Sequence, residues 1–253
     1  MERRGYNPVT IMTGDALPIL YRDCHFMAVN KPPGMLVHRS DVDRRETVFA
    51  MRLARYQAGC RVYPVHRLDR PTSGALLFAL SPEAARKVSD AFQSGLVRKT
   101  YLAIVRGNTD EEAVIDHPLR EIPDRFEERG DGEEVSREAV TVFRRLAAVE
   151  LPIPVGKFPT ARYSLLEVTP RTGRRHQIRR HLKHVFHPII GDTTYGDGLH
   201  NRLFRDSLGC GRLLLHASAL SFRHPWTGKN VTIAAPLCGE FAEVMAQLGW
   251  NGK

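Results

Sequence analysis

Residues 62–74, VYPVHRLDRPTSG, place one acid among three basic side chains. Asp69 stands between Arg67 and Arg70, and His66 precedes all three. A nearby guanidinium favours the ionised form of a carboxylate, and that form acts as a nucleophile or as a base. The simpler alternative is an exposed loop with an ion pair of little consequence, which for a bare Arg-Leu-Asp-Arg sequence is the more common case.

Tyr101 is a second candidate, on the stretch LVRKTYLAIVRG in which inward and outward side chains alternate. The alternation predicts a strand with Lys99 and Tyr101 on one face and Thr100 on the other. Taken alone, Tyr101 is most simply a half-buried tyrosine of the core.

Arg179 is a third candidate, in the basic stretch GRRHQIRRHLKHVF, residues 173–186. Apolar spacing predicts a helix from Arg174 onward, with Arg175, Arg179 and Lys183 on one face. The simpler interpretation is a solvated basic face. The functional one is a phosphate-binding face with one arginine turned inward to hold a carboxylate. The cations of this stretch are Arg174, Arg175, Arg179, Arg180 and Lys183.

The sequence gives little support for metal, nucleotide or serine chemistry. The four cysteines form no CxxC pair, and Walker A, GxGxxG and GxSxG patterns do not occur. The histidines near the basic helix have no HExxH pattern, and the neighbouring cations oppose a bound metal ion. We therefore predict no metal and no cofactor. The histidines concerned are His176, His181, His184 and His187.

The charge of the chain indicates a polyanionic partner. Its 253 residues carry a formal net charge of +9, which suits nucleic acid or an anionic membrane. The sequence contains neither a signal-peptide run nor an apolar stretch of roughly 20 residues. This favours nucleic acid over the membrane and predicts a cytoplasmic protein with reduced thiols.

The charge is also uneven along the chain. Residues 110–134 hold eleven acidic side chains against three basic ones, so the rest of the chain is more basic than its average. Such a contrast attracts a polyanion to one face and repels it from another. The composition of this stretch predicts a mobile surface excursion.

The elements that must position the candidates are mostly short strands. GALLFAL, residues 74–80, directly follows the Asp69 stretch and predicts a strand covered on both faces. Strands outnumber helices and do not alternate with them as βαβ units would, which predicts an α+β fold with a mixed or antiparallel sheet. Other predicted strands cover about 19–21, 26–29, 96–107, 139–146, 161–169, 213–222 and 230–236. Predicted helices cover about 47–56, 81–95, 174–186 and 238–249.

Together, these motifs resemble the pseudouridine synthases of the RluA family. The similarity runs in order across roughly residues 19–236 and is specific as a set. The matching stretches are Asn30-Lys31-Pro32-Pro33-Gly34, His66-Arg67-Leu68-Asp69 with Thr72-Ser73-Gly74, Lys99-Thr100-Tyr101-Leu102-Ala103, Gly173-Arg174-Arg175-His176-Gln177-Ile178-Arg179, His187-Pro188-Ile189-Ile190-Gly191-Asp192, Leu215-His216-Ala217, and His224-Pro225-Trp226-Thr227-Gly228.

The resemblance implies a fold, a reaction and a set of roles. The fold is a central mixed, mostly antiparallel bent sheet flanked by helices, with an active-site cleft. The reaction isomerises a uridine of RNA to pseudouridine after base flipping and without a cofactor. The implied catalytic residues are Asp69, Tyr101 and Arg179, with Arg179 contacting Asp69. Base flipping and substrate binding fall to His66, Arg67, Arg70, Lys99 and Ile178, and RNA phosphates to Arg174, Arg175, His176, Arg180 and Lys183.

Domain organisation and substrate complete the expectations. We predict an irregular lead over residues 1–17 and one catalytic domain over 18–253, with the acidic excursion at 108–136 and no S4-type RNA-binding domain. The Arg70-Pro71 pair and the Gly198–Arg205 stretch resemble a subgroup that modifies the uridine at tRNA position 65, in the acceptor-stem region. We expect a monomer. The alternatives are a ribosomal RNA substrate and a non-catalytic RNA-binding or chaperone module.

Overall fold

The computed structural model describes residues 16–38, 48–121 and 135–250. In these residues one large sheet carries helices on both faces, which confirms the predicted α+β class. The strands are β1 (Ile19–Arg22), β2 (Phe26–Lys31), β3 (Tyr63–Pro64), β4 (Ser73–Ala79), β5 (Arg98–Arg106), β6 (Glu112–Asp116), β7 (Leu119–Arg120), β8 (Ser136–Arg137), β9 (Val140–Leu151), β10 (Ala161–Pro170), β11 (Leu215–Arg223) and β12 (Asn230–Ala234). The helices are α1 (Ala50–Ala58), α2 (Pro82–Gln93), α3 (Gln177–His184), α4 (Gly198–Leu208) and α5 (Glu240–Gln247).

The sheet is mixed but mostly antiparallel. Its strands run in the order β1-β2-β4-β11-β5-β10-β9-β6, with β12 beside β11 and β3 beside β4. Among the described strands, β4 and β11 form the one parallel pair, in which Ser73 faces His216 and Gly74 faces Ala217. A Cβ atom at Gly74 would lie 2.2 Å from the Ala217 carbonyl oxygen, so this close approach requires glycine. The Asp69 loop enters the sheet at this point.

Two helices cover the same face of the sheet and leave Tyr101 between them. On one side, α1 packs Leu53 with Phe78 of β4. On the other, α3 packs Leu182 with Val168 of β10. Tyr101 of β5 contacts both clusters, so its ring lies at the junction where the sheet is left open. The alternation predicted for β5 is confirmed, because Ile104 belongs to the cluster on the opposite face.

Helix α3 begins three residues later than predicted. His176 has φ 56° and ψ 25°, a left-handed conformation that ends any continuous helix from Arg174. Arg175 therefore lies in the preceding turn, and Arg179 is 4 % exposed whereas Lys183 is exposed. The expected shared face of Arg175, Arg179 and Lys183 is therefore wrong for Arg175, whereas Arg179 and Lys183 keep their spacing of four within α3.

The acidic stretch is more regular at its start than predicted. Residues 112–116 form the edge strand β6, which pairs with β9, so this part is not an irregular excursion. Residues 122–134 lie outside the described residues, as do residues 1–15 of the expected lead. Leu17, at the end of that lead, is buried and exchanges backbone hydrogen bonds with the Gln57 side chain.

Candidate active site

A cleft of about 600 Å³ opens on the face of the sheet that carries α1 and α3. Its volume falls within the usual range of ligand pockets, about 300–1,000 Å³. The three stretches singled out in the sequence meet here, although they are far apart along the chain. Predicted site residues that line the cleft are His66, Arg67, Asp69, Lys99, Tyr101, Arg174, Arg175, His176, Ile178 and Arg179.

Asp69 and Arg179 are in contact, as predicted. The Arg179 Nη1 atom donates to Asp69 Oδ2 at 3.1 Å. The other edge of the same guanidinium donates twice to Asp192, from Nε at 2.7 Å and from Nη2 at 2.9 Å. Arg179 is therefore fixed by a bidentate pair, and one N–H is aimed at Asp69.

Asp192 is buried, and both of its carboxylate oxygens accept hydrogen bonds. Its side chain is 1 % exposed, and Oδ1 also accepts from the backbone N–H groups of Thr194 and Tyr195. Burial alone would raise the pKa of Asp192, but the hydrogen bonds from Arg179 and the backbone lower it below its usual value. The carboxylate therefore stays charged and keeps Arg179 in one orientation.

The Asp69 loop is held from below by a buried lysine. Lys31 is fully buried, and its Nζ donates to the carbonyl oxygens of Pro32, Met35 and Arg70 at 2.9, 2.8 and 3.1 Å. The Arg70 side chain donates in turn to the Gly34 carbonyl oxygen at 2.9 Å. These bonds tie the turn after β2 to the Asp69 loop. They leave the Asp69 side chain at the cleft surface, half-buried.

Tyr101 and Lys99 form one wall of the cleft. Burial and, secondarily, the Asp69 charge raise the pKa of the Tyr101 hydroxyl well above its usual range, so the ring stays neutral at neutral pH. Burial lowers the pKa of Lys99, whose Nζ donates to the Thr172 carbonyl oxygen at 3.3 Å. The wall thus combines an uncharged aromatic face with a partly desolvated cation.

His176 lies beside the Asp69 carboxylate and the Tyr195 hydroxyl. Its Nε2 atom is 3.8 Å from Asp69 Oδ1, and its Nδ1 is 3.0 Å from the Tyr195 hydroxyl. Burial lowers the pKa of His176 although Asp69 opposes this, so the ring is neutral at neutral pH. Its assignment to RNA phosphates stays a prediction.

His66 supports the fold beside the cleft. Its Nε2 accepts a hydrogen bond from the backbone N–H of Leu77 in β4 at 2.9 Å, and its ring stacks on Phe92. Burial and the Lys99 charge lower the pKa of His66 to about 3. The neutral His66 ring therefore fixes the backbone just before Asp69 through its contacts with Leu77 and Phe92. Its expected role in base flipping stays a prediction.

The remaining predicted residues divide between the cleft lining and the surface outside it. Arg67 is exposed and lines the cleft, and Ile178 is 7 % exposed at its floor. Arg174 donates to the Glu138 carbonyl oxygen, and Arg180 donates to that of Arg120. Arg70, Arg180 and Lys183 do not line the cleft in the part of the chain that the structure describes.

Sequence reasoning missed the roles of Asp192 and Lys31. Both lie in stretches that carried the family resemblance, but no local pattern marks either one as part of the site. Asp192 has no arginine or lysine within its own motif, and Lys31 precedes two prolines in an ordinary turn sequence. A lysine at the end of an apolar strand sequence was the one available signal.

Metal and membrane features are absent from the described ranges. Over residues 16–38, 48–121 and 135–250, no group of three or more His, Cys, Asp or Glu side chains is arranged to hold a metal. No helix in those same ranges is long and apolar enough to cross a membrane.

Comparison with known proteins gives one consistent family. The sequence profile described as RNA pseudouridylate synthase matches residues 25–184. The tRNA pseudouridine synthase C of Haemophilus ducreyi is 51% identical over 235 residues, which cover 93% of this chain and 97% of the relative. The protein of the same name from Vibrio cholerae is 51% identical over 236 residues, with the same two coverages. The solved structure of human RNA Pseudouridylate Synthase Domain Containing 1 aligns with a TM-score of 0.67 and 28% identity, over 88% of this chain and 84% of that one.

Proposed function

The chain belongs to the RNA pseudouridylate synthase family, and we propose that it isomerises one uridine of tRNA to pseudouridine with Asp69 as the catalytic carboxylate. The observation that carries the proposal is the Asp69–Arg179–Asp192 arrangement in the cleft. It holds the half-buried Asp69 carboxylate on the side of the arrangement that faces the cleft.

The reaction breaks the N1–C1′ bond of the uridine, turns the uracil and forms a C5–C1′ bond. The C5 proton leaves and N1 gains a proton, so the change is an isomerisation without a redox step. Asp69 either attacks C1′ as a nucleophile or removes the C2′ proton to give a glycal. Both routes begin from the ionised carboxylate, which Arg179 stabilises through a charge-assisted hydrogen bond.

The cleft walls suit a base that has left its stack. The target uridine must be extruded, because its glycosidic bond is inaccessible inside a paired stem. Tyr101 would stack on the uracil as a neutral ring, and Ile178 would close the pocket beneath it. Because burial raises the pKa of the Tyr101 hydroxyl, we assign Tyr101 to stacking on the uracil rather than to removal of the C5 proton. The exposed guanidinium of Arg67 would fill the space that the uracil vacates.

The choice of tRNA rests on the relatives. Proteins about half identical over nearly their whole length are named tRNA pseudouridine synthase C. We further propose the uridine at position 65, in the acceptor-stem region, and a monomeric, cytoplasmic enzyme. Ribosomal RNA is the competing substrate, because the chemistry of the site is the same for both.

Mapping pseudouridine in RNA from cells with and without this chain tests the proposal. We expect one tRNA site to lose its modification without the chain and to regain it with the parent sequence but not with Arg179→Ala. Loss at a ribosomal RNA site instead would replace tRNA as the substrate. An unchanged map would favour the non-catalytic RNA-binding alternative.

A further inference from the structure

Phe186 stands in a conformation that an aromatic side chain rarely adopts. Its φ is 64°, and its side chain is 79% exposed. The residue follows the last turn of α3, where its N–H donates to the Lys183 carbonyl oxygen at 3.1 Å and the next N–H, of His187, donates to that of Leu182 at 2.8 Å. Glycine is the usual residue at this position of a helix end, because it adopts positive φ without strain.

The backbone requires this turn, but the phenylalanine ring does not contribute to it. After His187, the chain returns to the sheet, where Arg106 donates its N–H to the Pro188 carbonyl oxygen at 3.0 Å. The Arg106 side chain donates to the Phe186 carbonyl oxygen at 3.1 Å and pairs with Asp197. Of these contacts only the bond from the Arg106 side chain involves Phe186, and it uses the backbone carbonyl, so it would be the same with glycine. Folding therefore gains little from a strained residue whose apolar ring remains in water.

The surroundings favour an RNA ligand. Lys183, three residues earlier, is exposed, and Arg180 lies less than two helical turns before Phe186. At the other end of the same helix, Ile178 and Arg179 line the cleft. With a rise of 1.5 Å per residue, the last residue of α3, His184, lies about 7.5 Å beyond Arg179 along the helix, and Phe186 follows two residues later. An RNA seated in the cleft can reach both ends of α3.

We infer that Phe186 is an RNA-binding residue that stacks on an unpaired or frayed base of the substrate, outside the cleft that holds the target uridine. This inference rests on the proposed function. The ring supplies a stacking face, and Lys183 supplies a cation for the adjacent phosphate, a combination typical of single-stranded RNA recognition. The strain at φ 64° is retained because the ring serves binding and not folding.

Phe186→Gly tests the inference because binding should weaken without any loss of stability. We expect the melting temperature to stay the same or rise, since glycine relieves the positive φ. The KM for unmodified tRNA should rise by about tenfold, the loss of one stacked base, while kcat stays within about twofold. Phe186→Trp, which keeps an aromatic ring at this position, should have the KM of the parent. Val114→Ala, at an exposed apolar residue of the acidic edge strand β6, is the matched control and should leave KM unchanged.

The outcomes separate this inference from the proposed function. A parent chain that modifies no tRNA would overturn the proposed function itself. An active parent with an unchanged KM in Phe186→Gly would overturn the inference alone. Sedimentation of both proteins completes the test. If Phe186→Gly dissociates a dimer without changing KM, then the ring covers a second copy of the chain and the inference is wrong.

Discussion

Arg179 contacts two carboxylates, Asp192 and Asp69, which differ in burial and in the number of hydrogen bonds they accept from it. Asp192 receives both N–H groups of one guanidinium edge and is inaccessible, whereas Asp69 receives a single N–H and faces the cleft. A buried bidentate pair of this kind is rigid, so Asp192 determines where the remaining N–H of Arg179 points. We therefore propose that Asp192 is a positioning residue, which acts on the reaction through Arg179.

Asp192→Asn should lower kcat by about a hundredfold, the effect of misplacing a catalytic group by about 1 Å. KM should change little, because Asp192 does not line the cleft. The matched control is Asp197→Asn, at an aspartate that pairs with Arg106 and caps α4 outside the cleft. It should keep its kcat within about twofold of the parent. Equal losses of kcat in the two variants would mean that Asp192 supports only the fold.

At the scale of elements, the site depends on where β4 enters the sheet. Gly74 ends the Asp69 loop and lies against β11 so closely that any side chain would overlap the Ala217 backbone. The parallel β4–β11 pair therefore fixes where the chain leaves the Asp69 loop and enters the sheet.

Gly74→Ala should destabilise the protein by about 3 kcal/mol or more, because the backbones of two central strands must separate. Gly34→Ala is the control, since Gly34 also has positive φ, at 80°, but nothing lies within 4 Å of its added Cβ. Strain alone should cost that variant about 1 kcal/mol. Chemical denaturation gives both values, and similar losses would refute the role assigned to the close approach.

The sequence predicts most elements but not how they meet. Helix α2 follows from its local signals, with Ser81 accepting the Ala84 N–H as an N-cap. Helix α4 is not among the predicted elements, although Asp197 caps it and Gly209 ends it. Its apolar residues are spread among polar ones and its partner, the β10 face, is distant in sequence. The predicted start of α3 is wrong because the left-handed His176 depends on contacts with Asp69 and Tyr195, which no local pattern records.

The same distinction applies to the site. The resemblance placed Asp69, Tyr101 and Arg179 together, and the contact between Asp69 and Arg179 is present. Composition alone left Asp69 as a surface ion pair. The bond from Lys31 to the Arg70 carbonyl oxygen joins residues 39 positions apart. The pair of Arg179 and Asp192 joins residues 13 positions apart. Such contacts follow from the whole fold and could not be read from either segment.

Over the whole molecule, the uneven charge should guide the RNA. The chain carries +9 overall, yet the start of its acidic stretch forms the exposed edge strand β6. Replacing Glu112 and Asp116 by their amides should lower the KM for tRNA a few-fold at low salt, because repulsion at this edge weakens. The difference should vanish near 1 M salt, where the screening length falls to about 3 Å. A KM that is unchanged at low salt would show that RNA does not approach this edge.

The central claim is that Asp69 carries out the isomerisation, and release of the C5 hydrogen tests it most directly. The parent chain and Asp69→Asn are each incubated with tRNA that carries tritium at C5 of uridine, and binding of the same tRNA is measured in parallel. Asp69→Asn preserves the size of the side chain but removes the charge that both routes require. We predict that the parent releases tritium, and that Asp69→Asn binds the tRNA but releases none above background. Tritium release by Asp69→Asn at a rate near that of the parent would contradict the account.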